Sequence, residues 1–259
     1  MDSGFYAAAA GLKAQTQALE VVAHNLANVN TPGFRGELTT FRSLMALPGS
    51  QASNAANASP VSLDPGKLNP LNLATNNYGV LEGTHLDLSA GNLTNTGNPL
   101  DVAIEGSGFF VVNTPRGTRY TRNGSFQVAS TGELVTAAGD PVQGITGTIR
   151  VPAGPTAISP DGTLSVNGTV AGQIQLVDFP AGTELASEGG TLLSAPAGSA
   201  QPAKQLSLRQ AMLESSNVNA IASVTALIGV QREAEMLGRA LSLFDTEFNH
   251  IAASELGKV

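Results

Sequence analysis

The sequence predicts a mainly β central domain between two long terminal α-helices that associate in a coiled-coil-like bundle. Near each end of the chain, apolar residues recur at alternating steps of three and four positions. This is the pattern of a coiled-coil seam. The middle of the chain is rich in Gly, Thr and Val and carries turn dipeptides, which favours short strands. We therefore expect the termini to pair while the middle forms a separate body.

The first helix is predicted within an N-terminal segment, residues 1–45, and should end near Asn30. Asp2 or Ser3 can cap its first N–H groups. Thr31 precedes Pro32, which disfavours the helical conformation at Thr31 and so stops the helix. The seam positions are expected to pack between helices and between subunits: Phe5, Leu12, Leu19, Val22, Leu26 and Val29.

The middle of the chain is predicted to be a β domain, residues 78–180, between two connectors, 46–77 and 181–205. Both connectors are rich in small residues and lack periodicity. An apolar run at 109–112 should form a strand that returns as a hairpin at 118–121. The dipeptides Asn123-Gly124 and Asn167-Gly168 indicate hairpin turns, because both residue types tolerate positive φ. Residues 131–135 resemble residues 161–165, which suggests stacked hairpins.

The second helix is predicted in the C-terminal segment, residues 206–259, and should begin between Leu208 and Ala220. Its seam is also expected to pack between helices and subunits: Leu227, Val230, Leu237, Leu241, Phe244, Phe248 and Ile251. We predict that both terminal helices are weakly ordered in the monomer and fold when subunits assemble.

Composition disfavours several classes of protein. The net charge is −7, and the few basic residues are scattered, so no basic stripe is available for nucleic acid. Cysteine is absent, which excludes disulfides and thiolate metal sites. The sequence contains no run of 18 apolar residues, so it does not predict a membrane-spanning helix. The N-terminus lacks the pattern of a secretory signal, so we expect any export to proceed without a cleaved signal peptide.

The sequence predicts no catalytic, metal or cofactor site, and we do not expect an enzyme. His24, His85 and His250 lie in separate segments, away from carboxylates at metal-ligand spacing. Most acidic residues of the predicted β domain sit beside Gly or Pro, where they commonly serve turns. Spacing alone does not exclude two carboxylates facing one cleft. An exported carbohydrate-binding or hydrolytic β protein therefore stays open as the alternative of another class.

A polar motif follows the first helix seam. Asparagine is unfavourable inside a helix, but its amide both donates and accepts hydrogen bonds. Three asparagines near one helix end can therefore tie a chain reversal to neighbouring segments. The motif consists of Asn25, Leu26, Ala27, Asn28, Asn30, Thr31, Pro32, Gly33 and Phe34.

This motif closely resembles the signature of the bacterial flagellar rod and hook proteins, the axial proteins of the basal body. The resemblance continues through residues 97–106 and 120–126 in the middle of the chain. It extends to residues 213–219 and to Gln231-Arg232 near the C-terminus. Three separated motifs in the same order cover most of the chain.

The resemblance implies a structural subunit without enzymatic activity or cofactor. Its terminal helices would polymerise into the axial tube that transmits torque, with copies of itself and other rod and hook proteins as partners. Members of the family leave the cytoplasm through the flagellar type III export apparatus without a cleaved signal, and reside in the periplasm-spanning rod of the basal body. Residues 34–43 look most like the proximal rod subunit. A distal rod or hook-type subunit is the alternative.

Overall fold

The computed structural model describes residues 2–45, 77–203 and 207–256. Apart from Asn77, the predicted connector at 46–77 lies outside these residues. The described chain is mainly β with two helices, α1 (Asp2–Ala27) and α2 (Ala220–Leu256). It divides into two compact units. One comprises Met1–Ala23, Thr39–Thr84 and Val224–Val259, and the other comprises His24–Leu38 and His85–Ser223.

In the first unit, α1 and α2 pack together. Among the side chains of α1 that the structure describes, Ala8, Ala14 and Ala18 are buried. A Cβ added at Gly11 would lie 3.4 Å from Leu237 Cδ1. Gln15 Nε2 donates a hydrogen bond to Glu233 Oε2 at 2.7 Å. The helix pair is thus present, and the missing side chain at Gly11 leaves room for Leu237 of α2.

The predicted seam residues are mostly half-buried in the single chain. This class contains Leu12, Leu19, Val22, Leu26, Val29, Leu227, Val230, Leu237 and Leu241. Phe5 and Phe244 are exposed, and the side chains of Phe248 and Ile251 lie outside the described residues. The structure confirms long terminal helices that pack, and the coiled-coil bundle stays a prediction.

Nineteen strands follow one another along the described chain. The first two, β1 (Glu37–Met45) and β2 (Asn77–Leu86), form a two-stranded sheet. The next eight are β3 (Leu93–Asn95), β4 (Val102–Glu105), β5 (Phe109–Thr114), β6 (Gly117–Thr121), β7 (Phe126–Val128), β8 (Leu134–Thr136), β9 (Gln143–Gly144) and β10 (Gly147–Thr148). The last nine are β11 (Thr156–Ile158), β12 (Thr163–Val166), β13 (Thr169–Gln173), β14 (Leu176–Asp178), β15 (Ala186–Ser187), β16 (Leu192–Ser194), β17 (Gln201–Pro202), β18 (Ser207–Gln210) and β19 (Met212–Glu214).

The second unit is built around β5, which is buried on both faces. It lies inside a six-stranded sheet of order β15-β16-β6-β5-β14-β17. Because side chains alternate across a strand, Phe110 and Val112 enter the larger apolar cluster. Phe109 and Val111 enter a smaller cluster on the other face. Burial on both faces explains why four apolar residues stand in succession.

Several local predictions for the β domain are confirmed. The hairpin of β5 and β6 places Val111 opposite Tyr120. Asn167 and Gly168 join β12 to β13 with φ values of 52° and 78°, as a two-residue hairpin turn requires. Residues 131–135 and 161–165, which are similar in sequence, also share a turn geometry. In each turn, the glycine N–H donates to the carbonyl three residues earlier, at 2.8 Å for Gly132 and 2.9 Å for Gly162.

The Asn123-Gly124 dipeptide does not form the predicted hairpin turn. It lies in the irregular segment between β6 and β7. A Cβ at Gly124 would stand 1.7 Å from the carbonyl oxygen of Val102, and the N–H of Val102 donates to the Gly124 carbonyl at 3.0 Å. Glycine is therefore needed here for close backbone approach, which turn propensity alone does not reveal.

Two predicted boundaries also differ from the structure. Residues 181–205 were expected to be a connector, yet β15, β16 and β17 lie within them and join the six-stranded sheet. Residues 207–214, expected in the C-terminal helical segment, form β18 and β19, which pair with β4 and β3. These strands have two to four residues, too few to show a period of two. Their partners in sequence-distant segments decide their conformation.

An ion pair joins the segment 181–205, which was expected to be a connector, to the six-stranded sheet. Arg119 Nε donates to Glu188 Oε2 at 2.8 Å, and this hydrogen bond lowers the pKa of Glu188 below its ordinary value of 4.5. A carboxylate with a depressed folded-state pKa stabilises the fold above its unfolded pKa, and this contribution disappears as pH falls through the folded pKa. We expect Glu188→Gln to lower the thermal midpoint at pH 7. The difference from the unsubstituted chain should vanish well below pH 4.5. Equal differences at both pH values would contradict this assignment.

Candidate functional site

The end of α1 is tied to the following strand by an asparagine amide. Asn25 Nδ2 donates to the carbonyl of Glu37 at 2.7 Å, and Asn25 Oδ1 accepts from the Glu37 N–H at 2.8 Å. Asn28 Nδ2 donates to the carbonyl of His24 at 3.0 Å, which satisfies a carbonyl at the helix end. Thr31 Oγ1 donates to Asn28 Oδ1 at 3.1 Å. Asn25 thus connects the helix end to the next strand, and Asn28 closes the helix end itself.

The tip of the reversal is buried against the strand that precedes α2. Gly33 has φ 69°, and its N–H donates to the Glu214 carbonyl at 2.7 Å. Phe34 is fully buried, with its ring edge-on to His24 at 5.4 Å between centroids. Of the remaining motif residues, Ala27 and Asn30 are exposed, and Leu26, Thr31 and Pro32 are half-buried.

A buried charged cluster lies directly behind this tip. Arg35, Arg122 and Glu214 are 3%, 5% and 1% exposed. Arg35 Nη2 lies 2.7 Å from Glu214 Oε1, and Arg122 Nη1 lies 3.2 Å from Glu214 Oε2. The N–H direction of Arg35 does not align with that oxygen, and among the described residues its guanidinium has no hydrogen-bond partner. The Arg35 contact is therefore an ion pair, held by charge.

Arg122 is the better satisfied of the two arginines. Its Nη1 and Nη2 donate to the carbonyls of Ile104 and Gly106, at 3.2 and 2.6 Å. Its guanidinium carbon lies 5.3 Å from the centroid of the Phe109 ring, within reach of a cation–π contact. Burial lowers the pKa of the Arg122 guanidinium below its ordinary value, and the negative charge of Glu214 opposes that shift. Glu214 thus compensates two buried positive charges.

A second asparagine connects three segments of the chain. Asn217 Oδ1 accepts from the N–H of Gly36 at 2.8 Å. Its Nδ2 donates to the carbonyls of Asp87 and Ser89, at 2.8 and 3.2 Å. We call the set of Asn25, Gly33, Arg35, Arg122, Glu214 and Asn217 the junction. All six residues belong to the second compact unit.

Four members of the junction do not follow from the sequence pattern: Arg35, Arg122, Glu214 and Asn217. Charged residues are only 13% of this chain, so a charged residue inside a family motif is a candidate for a specific role. Arg122, Glu214 and Asn217 also fall inside the segments on which the family resemblance depends. Among the described residues, no three His, Asp or Glu side chains lie close enough to hold a metal ion. Neither helix, over its described length, is long and apolar enough to cross a membrane.

Comparison with known proteins decides the family. Residues 5–35 match the family described as flagella basal body rod protein. Residues 103–171 match the family described as flagellar hook protein FlgE/F/G D1 domain. The flagellar basal-body rod protein FlgF of Caulobacter vibrioides is 32% identical over 263 residues, with 100% of both chains covered. This chain belongs to the flagellar basal-body rod protein family.

Further rod proteins are similar over almost their whole length. FlgF of Escherichia coli is 35% identical over 264 residues, covering 95% of each chain. FlgG of Caulobacter vibrioides is 34% identical over 265 residues, covering 92% of this chain and 94% of the relative. The chain is thus a structural rod subunit of the flagellar basal body. Its first family match spans α1 and the reversal, and its second spans β4 to β13.

In this rod subunit we expect Asn217→Asp to destabilise the second compact unit by about 1–3 kcal/mol. The substitution removes the donor to Asp87 and Ser89 and turns a carboxylate toward their carbonyl oxygens. Asn219→Asp is the matched control. The Asn219 side chain caps α2, because its Oδ1 accepts from the N–H of Ala222 at 3.1 Å. The carboxylate of an aspartate can accept the same hydrogen bond, and aspartate is an equally good helix cap. Urea unfolding of both variants tests this, and equal losses would contradict the role of Asn217.

Proposed function

We propose that this subunit polymerises through its terminal helices into the axial tube of the rod, which transmits torque. The observation that carries the proposal is a set of exposed apolar side chains on one side of α2. Val224, Ile228, Met236 and Leu243 are all exposed, Met236 by 61% and Leu243 by 71%. Each such side chain contributes roughly 1.5–3 kcal/mol when fully buried. Repeated in every subunit, this burial would stabilise a helical array.

This face lies opposite the seam. Since about 3.6 residues complete one helical turn, Val224, Ile228 and Leu243 fall on the side of α2 away from Val230 and Leu237. The seam side is half-buried and contacts α1 at Gly11. Exposed apolar side chains opposite a packed seam allow the helix to contact a second neighbour. We infer that the seam side packs within the subunit and that the exposed apolar side chains pack between subunits.

The junction would serve this function by fixing the helix ends to the body. Residues 24–27 at the end of α1 and residues 220–223 at the start of α2 belong to the same compact unit as the junction. The Asn25 and Asn217 amides and the Glu214 ion pairs hold the segments next to both helix ends. Load on either helix would therefore pass into a buried, hydrogen-bonded region.

We further infer a proximal position in the rod and export by the flagellar type III apparatus without a cleaved signal. Two similarities support the proximal position: residues 34–43 look most like the proximal rod subunit, and the whole chain is similar to FlgF. A distal position is the alternative, because FlgG is 34% identical over 265 residues. Partners would be copies of this chain and other rod and hook axial proteins. Neither catalysis nor a cofactor has a part in this function.

Substitution on the exposed face of α2 tests polymerisation. Ile228→Asp and Met236→Asp place a charge where the proposal buries an apolar side chain. Glu235→Asp, at an exposed position of α2 that already carries a negative charge, is the control. We expect cells that carry either of the first two variants to be non-motile with incomplete rods in electron micrographs. Cells that carry the control should swim. Normal swimming with Ile228→Asp and Met236→Asp combined would refute assembly through this face.

Deletion of the gene tests the position. Electron cryotomography of basal bodies in the deletion strain should show assembly stalled before a complete rod, and the stall point separates proximal from distal. Intact flagella would contradict a rod function altogether.

The proposal also predicts that the terminal helices order on assembly. In a dilute monomer, removal of residues 1–23 and 224–259 should then remove little helical circular dichroism. The same helical signal should rise as the full chain polymerises. A large loss on truncation would show that the helices are already folded in the monomer.

A further inference from the structure

The second compact unit contains an open cleft of about 870 Å³. The six-stranded sheet contributes Val111, Asn113, Thr118 and Tyr120, together with residues of β14 and of β17 and its flanks. The other residues come from β9 and the loop after it, from Asp161 before β12, and from residues 173–175 at the end of β13 and after it. This volume lies within the roughly 300–1,000 Å³ usual for binding sites of small ligands.

The cleft is lined by side-chain amides from five strands or loops: Asn113, Gln143, Gln173, Gln175 and Gln201. Gln173 Nε2 donates to the carbonyl of Asp161 at 3.0 Å. The side-chain amides of the other four make no hydrogen bond to any described residue. Each amide carries two donors and two acceptor sites. The lining therefore offers an array of neutral hydrogen-bonding groups that the protein leaves to solvent.

Three backbone N–H groups around the cleft, in contrast, are already paired. The N–H of Gln175 donates to the Gln143 carbonyl at 2.9 Å, and the N–H of Ile145 donates to the Gln173 carbonyl at 2.9 Å. The N–H of Asn113 donates to the Pro141 carbonyl at 2.9 Å. An extended peptide that binds by strand addition needs free backbone groups at a sheet edge. The cleft thus favours a ligand recognised by side chains.

The ligand that matches this lining is uncharged. Among the described lining residues, Asp161 is the one with an acidic or basic side chain. Its carboxylate already accepts from the N–H and the hydroxyl of Thr163, at 3.1 and 2.8 Å, and these bonds lower its pKa. Glycoside hydrolysis ordinarily requires two carboxylates across the scissile bond. The chemistry of the cleft is therefore suited to binding without hydrolysis.

Apolar surface accompanies the amides. Val111 forms part of the floor, and the Tyr120 ring is held edge-on by Phe179 at 4.9 Å between centroids. Ile145, at the rim, is 61% exposed. A sugar ring presents hydroxyl groups at its edge and C–H groups on its faces, so it can use both kinds of surface at once.

We propose that this cleft binds a neutral oligosaccharide, with Gln143, Gln175 and Gln201 hydrogen-bonding its hydroxyl or acetamido groups and Ile145 and Tyr120 contacting its ring faces. The inference goes beyond the structural role in the rod and is independent of it. A subunit that assembled normally without binding sugar would overturn only the present proposal.

The test measures binding to the full chain by isothermal titration calorimetry. Chitohexaose, a neutral N-acetylglucosamine oligomer, and cellohexaose, its counterpart without acetamido groups, are the probes. The variant Gln143→Ala/Gln175→Ala removes two amides from the cleft. Gln127→Ala removes an exposed glutamine on β7, outside the cleft. Circular dichroism melting of each variant verifies that the fold is retained.

We expect saturable binding of at least one probe. The double substitution should weaken it by about tenfold or more, while Gln127→Ala leaves it unchanged. Preference for chitohexaose would assign the amides to acetamido groups, and equal binding would assign them to hydroxyls. Absence of saturable binding for both probes would overturn the proposal. Binding that the double substitution does not weaken, in a variant that retains its fold, would also overturn it.

Discussion

Substitution of Glu214 by glutamine is expected to lower the free energy of unfolding by about 3–5 kcal/mol. Glutamine keeps the size of the side chain but removes the negative charge. Arg35 and Arg122 would then be buried without a counter-charge, and the Glu214 carboxylate that now accepts from the Gly91 N–H at 2.9 Å would be lost. Breaking a buried ion pair costs more than the pair contributes, because the remaining charges stay desolvated. Urea unfolding followed by far-ultraviolet circular dichroism measures this loss.

Glu105→Gln is the matched control for this experiment. Glu105 Oε2 also accepts from an arginine, Arg209 Nε, at 2.8 Å, but the two side chains are 52% and 56% exposed. Exposed ion pairs contribute about 0–1 kcal/mol. If Glu214→Gln costs no more than Glu105→Gln, the charged cluster does not anchor the junction. In cells, the same contrast should separate a non-motile strain from a motile one.

Substitution of Gly33 by alanine is expected to have a comparable effect, about 3 kcal/mol or more. Two costs add. The left-handed φ of 69° penalises a side chain by roughly 1–2 kcal/mol. In addition, the new Cβ would stand 2.3 Å from the backbone nitrogen of Asn123 and 2.4 Å from the carbonyl carbon of Arg122. Backbone atoms cannot rotate away, so the reversal would have to lift off the body, and overpacking of this kind costs roughly 1–3 kcal/mol or more.

Gly97→Ala separates the two costs. Gly97 has nearly the same φ, 74°, but a Cβ there would meet no atom within 4 Å. We expect this variant to lose only about 1–2 kcal/mol and to support swimming. The difference between the two variants in urea unfolding then isolates the close approach of the reversal to Asn123. Equal losses would mean that the reversal is not tightly seated.

Local signals predicted the elements whose causes lie within a few residues. The Asn167-Gly168 turn depends on φ values that these two residue types accept. The four-residue apolar run of β5 requires burial on both faces wherever the strand is placed. The helix seams follow from the three-four spacing alone. In each case, the pattern that indicates the element lies within the segment itself.

Signals of this kind failed where the deciding partner is distant in the chain. The strands β15, β16 and β17 have two or three residues each, so pairing with β6 and β14 makes them strands. Asn123-Gly124 carries the turn signature, yet contact with Val102 decides its conformation. Local propensity is weak compared with backbone pairing and close packing.

The sequence by itself therefore determined the family, the mainly β fold with long terminal helices and the asparagine-rich reversal, because these depend on short-range spacing and on contiguous motifs. Only the tertiary structure showed that Glu214 meets Arg122 across 92 positions of the chain and compensates Arg35 as well. Only the tertiary structure collected five amides from separate segments into one cleft. Both sites arise only on folding. The charged side chains around Glu214 are brought together away from water, and the amides of the cleft are brought together at the surface. No local pattern in the sequence connects the members of either site.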